Sequence, residues 1–312
     1  MIQIFKSDSD GTLNKINNIE NGCWINLINP TKDELNAILD EIEVEAEFLY
    51  AALDEEESSR IDIENNETLL IFNIPSSKEG ESGPTYDTHP LGIIYTDQAL
   101  ITVSLHETDI IKDFIMKKIS SFYTFKKFRF ILQILYRIAS YYLLYLRQIE
   151  KKSIFLEKKL NKTMQNEGLI KLHSLEKSLV YFSTSLKGNQ LTLDKLLKLE
   201  RIQKYEEDKE LLDDVIIENK QAIEMTDIYA EIISSTMEYF SSVISNNFNS
   251  VAKILTSITT VMTIYGVVAS TYGMNIPIPF QNSPHSFSIV MISTTLFVLF
   301  IIYLLNKKNM LK

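Results

Sequence analysis

Side chains able to carry covalent chemistry are few in this sequence. His89, His106, His173 and His285 are scattered, with no HExxH or other paired ligand spacing. Cys23 stands alone, which excludes an internal disulfide framework and a multi-cysteine zinc cluster. No GxxxxGK or GxGxxG pattern occurs, so nucleotide binding is disfavoured. An enzyme is not indicated, and no organic cofactor is implied. What the chain offers instead is oxygen. Asn249, Ala252, Leu255, Thr259, Thr263, Gly266 and Ser270 advance by three or four residues, so they share one helix face, polar or small everywhere except Leu255. That face leads to Tyr272-Gly273-Met274-Asn275. Carboxylates are grouped elsewhere, at 54–57, at 206–208 with Glu210, and at Asp213-Asp214. Acid runs on long helices are for the most part solvated faces.

The elements that must hold these oxygens follow from charge. The chain has 312 residues, 45% of them hydrophobic and 23% charged, enough for one large domain or two. Its 41 acidic and 31 basic residues give a net charge of −10, which argues against a nucleic-acid partner. Every acidic residue precedes Lys253, and the 53 residues from Ile254 to Asn306 contain no Asp, Glu, Lys or Arg. One bilayer crossing takes about 20 apolar residues, so this tract predicts two spans, at 254–271 and 287–305, joined by an outer loop at 272–286. Pro277, Pro279 and Pro284 mark the connection, with Gln281-Asn282-Ser283-Pro284 as its turn. A buried hairpin of a soluble protein is the weaker reading, because the second segment is apolar all round a helix. Lys253 precedes the first span, Lys307, Lys308 and Lys312 follow the second, and the loop has no basic residue, which places both termini in the cytosol. The start of the chain has no basic segment followed by an apolar one, so a cleaved signal peptide is not expected.

Strand signals are confined to residues 1–105, in short runs at 1–5, 23–27, 60–63, 68–74, 91–95 and 100–105, which suggest a small mixed sheet. Thr31 and Glu34 form a capping box opening a helix through Leu35, Ile38, Leu39 and Ile42. Asp97-Gln98 turns the last hairpin, and 76–85 reads as a polar surface loop. After His106 no proline occurs until Pro277, and apolar residues recur at helical steps. Ile138, Tyr142, Tyr145, Ile149, Leu156 and Leu160 form one stripe, and Leu172, Leu175, Leu179, Phe182 and Leu186 a second, which predicts two antiparallel helices. Residues 189–265 lack Gly and Pro, and an unbroken helix of that length would reach on the order of 115 Å, a long stalk running into the membrane. Along it Ile216, Ile223, Ala230, Ile233, Met237, Phe240 and Ile244 form a seam for a neighbouring helix or, in the upper half, for the chain's own domain. The predicted fold class is therefore an α+β cytosolic domain, a mixed sheet with helices over 1–188, followed by a stalk helix at 189–253, a two-helix transmembrane hairpin and a basic cytosolic tail at 306–312.

With YGMN at the exit of the first of two C-terminal spans, after a stalk helix and with cytosolic ends, the chain resembles the CorA family of divalent-cation channels over its whole length. NSVAKILT, from Asn249 to Thr256, also resembles the family's approach to its first span. Two departures stand out: the outer loop lacks an acidic residue that many relatives carry, and the span has Gly266 without a proline common in its second half. The resemblance implies a homopentamer in the plasma membrane, its first spans lining a central pore with Gly273, Met274 and Asn275 at the outer mouth. Mg²⁺ gives up its waters reluctantly, so a ring of neutral Asn275 carbonyls suits the hydrated ion, while Gly273 lets the backbone turn and expose its carbonyls. Met274 packs behind the ring, since a thioether is a poor partner for a hard cation. In that pore the stripe from Asn249 to Ser270 becomes the lining, with helix packing as the plainer reading of its Ser and Thr, and a ring of Leu255 closes the lower end by excluding water. Transport needs no ATP: two charges crossing 100 mV release roughly 4.6 kcal/mol.

The same resemblance implies regulatory Mg²⁺ bound between subunits, for which Asp213 and Asp214 on the stalk and Asp87 in the domain are the candidates. The leading reading is a passive Mg²⁺ channel, also admitting Co²⁺ and Ni²⁺. A Zn²⁺ transporter of the ZntB kind is a second, less favoured by GMN than by a GVN or GIN variant. A non-transporting, membrane-anchored assembly protein is a third.

Overall fold

A computed structural model describes residues 1–80, 83–119, 122–163, 166–199, 205–276, 284–308 and 310. It forms two units, Met1–Met237 and Glu238–Lys312. The first is built on a seven-stranded sheet of β1 (Ile2–Ser7), β2 (Leu13–Ile16), β3 (Cys23–Ile28), β4 (Arg60–Glu64), β5 (Glu67–Gly80), β6 (Gly83–Tyr95) and β7 (Ala99–Ser104). Their order across the sheet is β2-β1-β3-β7-β6-β5-β4. Only the β3–β7 pair is parallel, so the sheet is mixed, as the strand runs predict. Strand β2 had no counterpart among the predicted runs, because its four residues, LNKI, give too short an alternation to stand out.

Burial on both faces of the central strands fixes where the helices lie. On one face Cys23, Ile25 and Leu27 of β3 join Ile101 and Val103 of β7 in a cluster with Leu35, Ile38 and Ile42 from α1 (Lys32–Glu41) and its end, and with Phe48, Leu49 and Ala52 from α2 (Ala46–Ala51) and its end. The capping box is present: Glu34 N–H donates to Thr31 Oγ1 at 3.3 Å and Thr31 N–H to Glu34 Oε2 at 2.8 Å. Helix α2 lies so close to β6 that a Cβ on Gly92 would come within 2.4 Å of Ala52 Cβ. The other face takes α3 (Asp109–Ile115) and α4 (Lys127–Thr163), where Trp24 meets Phe130 edge-on at 5.1 Å and donates Nε1–H to Thr102 Oγ1 at 2.9 Å.

Helix α5 (Asn166–Leu196) runs antiparallel to α4: Tyr142 packs on Phe182 at 5.1 Å, while Leu160 fills the space a Cβ on Gly168 would need. Both stripes read from the sequence are buried here. Two expectations fail. Residues 76–80 and 83–85 are not a surface loop, because β5 and β6 stay paired there through Ser76↔Asp87, Ser77↔Tyr86 and Lys78↔Thr85, while 81–82 lie outside the described residues. The tertiary cause is α5, whose Ser178 hydroxyl accepts the Tyr86 N–H at 3.4 Å and covers a tyrosine only 3% exposed. Nor is 189–265 one helix. Asn189 lies inside α5, where its amide bonds Asn73 backbone, and a new helix α6 (Glu206–Tyr272) starts with Glu206, Glu207 and Asp208 in its first turn, where carboxylates complement the helix dipole. Absence of Gly and Pro permits a continuous helix; it does not impose one.

The start of α6 packs on α5. Asn219 donates to Leu186 O and to Gln190, and Asp227 accepts from Ser183 and Lys187. Ile216 and Ile233 are thereby buried within the unit, so the upper seam is used by the chain's own domain. The second unit contains the end of α6 and α7 (Ser286–Lys307), and both helices are long and apolar enough to cross a membrane.

Candidate functional site

Two contacts set the rotation of α6 in the second unit. Ser257, fully buried, donates its hydroxyl to Lys253 O and lies 3.1 Å from Met310 O. Tyr265 donates its hydroxyl to Thr295 Oγ1 of α7 at 3.4 Å. Half-buried Val261, Ile264 and Val268 continue that face. At about 100° per residue, the positions Ala252, Leu255, Thr259, Thr263, Gly266 and Ser270 centre roughly opposite it. All are exposed except half-buried Ala252, Leu255 at 62%, and a Cβ on Gly266 would meet nothing within 4 Å. Asn249 lies at the flank of this stripe and is exposed as well.

The two threonine hydroxyls on the stripe are chemically polarised in one sense. Thr259 donates to Leu255 O and Thr263 to Thr259 O, each at 2.8 Å. Each proton is thus committed to the helix, and the oxygen presents lone pairs outward. An acceptor surface of this kind suits the hydrogens of waters carried by a cation, and suits anions poorly.

Helix α6 closes at Tyr272 through backbone bonds, Gly273 N–H to Ala269 O at 3.0 Å and Met274 N–H to Thr271 O at 3.4 Å. Backbone donors therefore make this cap, and the exposed Asn275 side chain projects beyond it. A Cβ on Gly273 would come 3.2 Å from Ala269 O, so this glycine serves a close approach and has no left-handed backbone to explain it. The loop residues 277–283, including Pro277, Pro279 and the turn residues 281–283, lie outside the described residues, as does Lys312.

The acidic candidates are not gathered into a cage. Asp213 and Asp214 are exposed between buried Leu212 and Val215, and half-buried Asp87 accepts the Thr88 N–H at 2.8 Å. Among the described residues no three His, Cys, Asp or Glu side chains are arranged to hold an ion. Asp208, by contrast, is no solvated acid: it is 7% exposed and pairs with Arg129 at 3.0 Å. Two groupings escaped the sequence because they join distant elements. Asp113, 1% exposed, receives Lys118 at 2.9 Å, Tyr141 Oη at 2.8 Å and Arg137. Burial pushes its carboxyl up, but these three donors outweigh that and hold it below the usual range. His89 and His106, separated by β7, bring their rings edge-on at 4.9 Å.

Residues 20–308 match the family model described as CorA-like Mg2+ transporter protein. The chain is 28% identical over 301 residues to the Cobalt/magnesium transport protein CorA of Methanocaldococcus jannaschii, covering 92% of this chain and 90% of that one. The complete structure of the CorA magnesium transporter from the same organism superposes with a TM-score of 0.80 at 25% identity, over 97% of this chain and 96% of that one. The cytoplasmic domain of ZntB from Vibrio parahaemolyticus matches 78% of this chain and 96% of its own with a TM-score of 0.61 at 13% identity, a likeness of fold alone.

Proposed function

Because this chain belongs to the CorA-like Mg²⁺ transporter family, a family of transporters and not of enzymes, we propose that it moves divalent cations across a membrane, with hydrated Mg²⁺ as the principal cargo and Co²⁺ and Ni²⁺ as secondary ones. The observation that carries this reading is the acceptor stripe: Thr259 and Thr263 spend their protons on the helix and turn lone pairs outward, on the side of α6 away from its α7 contact. A stripe left bare in one subunit acquires a purpose when copies bring their stripes together around an axis, and a homopentamer is the assembly we infer. Gly273, Met274 and Asn275 then stand at the outer mouth. There the Asn275 amides accept hydrogen bonds from the ion's waters, and passage down the stripe to the Leu255 ring needs no dehydration.

The driving force is the membrane potential. The lysine distribution supports a plasma-membrane hairpin with both termini in the cytosol, and it leaves residues 1–253 with 41 acidic and 28 basic side chains, a negative body facing the emerging ion. Regulation by cytosolic Mg²⁺ fits exposed Asp213 and Asp214, which join no group of three ligands among the described residues of one chain and could share an ion with a second. Asp87 is the domain-side candidate. The test is purified protein in liposomes loaded with a Mg²⁺ indicator. Uptake that rises with an inside-negative potential is the expected result; absence of flux at any potential overturns the reading in favour of an assembly role, and flux of Zn²⁺ without Mg²⁺ overturns it in favour of zinc transport.

A further inference from the structure

A cavity of about 260 Å³ opens at the end of the sheet, lined among others by Lys78, His89, His106, Lys112, Tyr141 and Tyr145. His89 stands on β6 opposite Ile74 of β5, and its Nε2 is buried without a hydrogen-bond partner among the described residues. An unspent imidazole nitrogen inside a fold is costly unless something binds it. His106 follows β7, packs against His89 with ring centroids 4.9 Å apart, and has its Nε2 3.5 Å from Glu55 Oε1. A carboxylate beside one ring nitrogen can orient the ring toward a metal at the other, an arrangement common behind metal-bound histidines.

The lining does not favour an anion, since Lys112 is already engaged by Glu107 at 3.1 Å and Asp109 at 3.8 Å. Two imidazoles side by side favour a borderline cation over a hard one. We propose that His89 and His106 form a bis-imidazole site for a first-row transition cation of the Co²⁺, Ni²⁺ or Zn²⁺ class, with Glu55 as the positioning carboxylate behind His106. Two protein ligands leave the remaining positions to water, so the site fills and empties with the free ion instead of locking it as a structural metal. Its residues are distinct from the stripe and from Asp87, Asp213 and Asp214, and it stands whether or not the chain conducts Mg²⁺.

The test is Co²⁺ titration of the purified full-length protein in detergent, with Mg²⁺ in large excess to occupy all-oxygen sites, read by the visible absorption that imidazole donors shift and intensify. The wild type is expected to show a saturable band that Mg²⁺ does not abolish. His106→Gln should weaken binding at least about tenfold, and Glu55→Gln by about tenfold through loss of ring orientation. The His106 side chain is 47% exposed, so its replacement removes little packing, and metal-free melting should match the wild type. His89→Gln should act like His106→Gln; if that variant fails to fold, the His106 variant decides alone. An unchanged band in the His106 variant, or loss of the wild-type band under the Mg²⁺ excess, overturns the proposal. Mg²⁺ flux into Co²⁺-free liposomes is measured separately on His106→Gln, so failure of this site and failure of the transport reading are distinguishable.

Discussion

Tyr265 and Thr295 meet hydroxyl to hydroxyl across 3.4 Å, and since Thr295 spends its own proton on Met291 O, the tyrosine is the donor. That single contact fixes which side of α6 belongs to α7. It leaves the face through Thr259, Thr263 and Gly266 for another occupant, and the transport reading makes that occupant the ion path.

Asn275→Ala should reduce Mg²⁺ uptake by at least about tenfold, the worth of roughly 1.4 kcal/mol of lost water-mediated hydrogen bonding around the ring, with oligomer size unchanged. The measurement is liposome flux beside light scattering of the detergent-solubilised oligomer. Leu255→Asn serves as the contrast: the side chain is 62% exposed in the subunit, so folding is spared, while a polar ring in place of an apolar one should raise leak at high cytosolic Mg²⁺. Wild-type flux in Asn275→Ala refutes the role given to the amide ring.

Replacing Asp213 and Asp214 together by Asn should shrink the difference in protease sensitivity between high and low Mg²⁺ while leaving permeation intact. Both residues are exposed, so little subunit stability is at stake. Removing carboxylates also removes repulsion in the empty state, so the mutant channel is expected to be insensitive to Mg²⁺ and not simply open. Limited proteolysis across a Mg²⁺ titration decides the matter: identical protection at an identical midpoint makes these two residues ordinary solvated acids.

Topology is open to direct labelling. A cysteine placed at Ser283 should react with an impermeant thiol reagent on intact cells, whereas one placed at exposed Ser9 should react only after permeabilisation. Native Cys23 is fully buried and therefore silent on either side, so it cannot serve as the inside control. Labelling of Ser9→Cys alone in intact cells reverses the orientation argued from the lysines.

Arg137→Met should destabilise the first unit by about 1–3 kcal/mol, because buried Asp113 loses its guanidinium partner while keeping Lys118 and Tyr141. The pH dependence has a definite sign. The folded carboxyl is held below its ordinary value, so its contribution is complete above the unfolded pKa of about 3.9 and is lost as pH falls through the lower folded value. In the variant the same carboxyl should titrate higher, closer to its unfolded value, so less stability should be lost as pH falls. Thermal melts of both proteins between pH 3 and 7 provide the check, and parallel curves refute it.

Much of this molecule is legible in one dimension because the signals are local or continuous. The uncharged run from Ile254 to Asn306, the lysines around it and the YGMN at its centre are properties of adjacent residues, and they point to two helices long and apolar enough to cross a membrane and to the family resemblance. The capping box at Thr31 and Glu34 and the stripes of α4 and α5 are likewise periodic within a helix, and the structure keeps them. Tertiary structure decided what depends on a neighbour distant in sequence. Helix α5 turns residues 76–80 and 83–85 from an apparent loop into paired strand, and its amide network with Asn73 claims Asn189 from the stalk. Packing on α5 consumes part of the seam on α6, which periodicity alone could assign to any partner. The sheet carries His89 and His106 on separate segments and closes them to 4.9 Å, a proximity that no spacing rule contains. Periodicity tells which side chains share a face; only the packed chain tells what that face meets, because the energy of burial depends on the partner and not on the pattern.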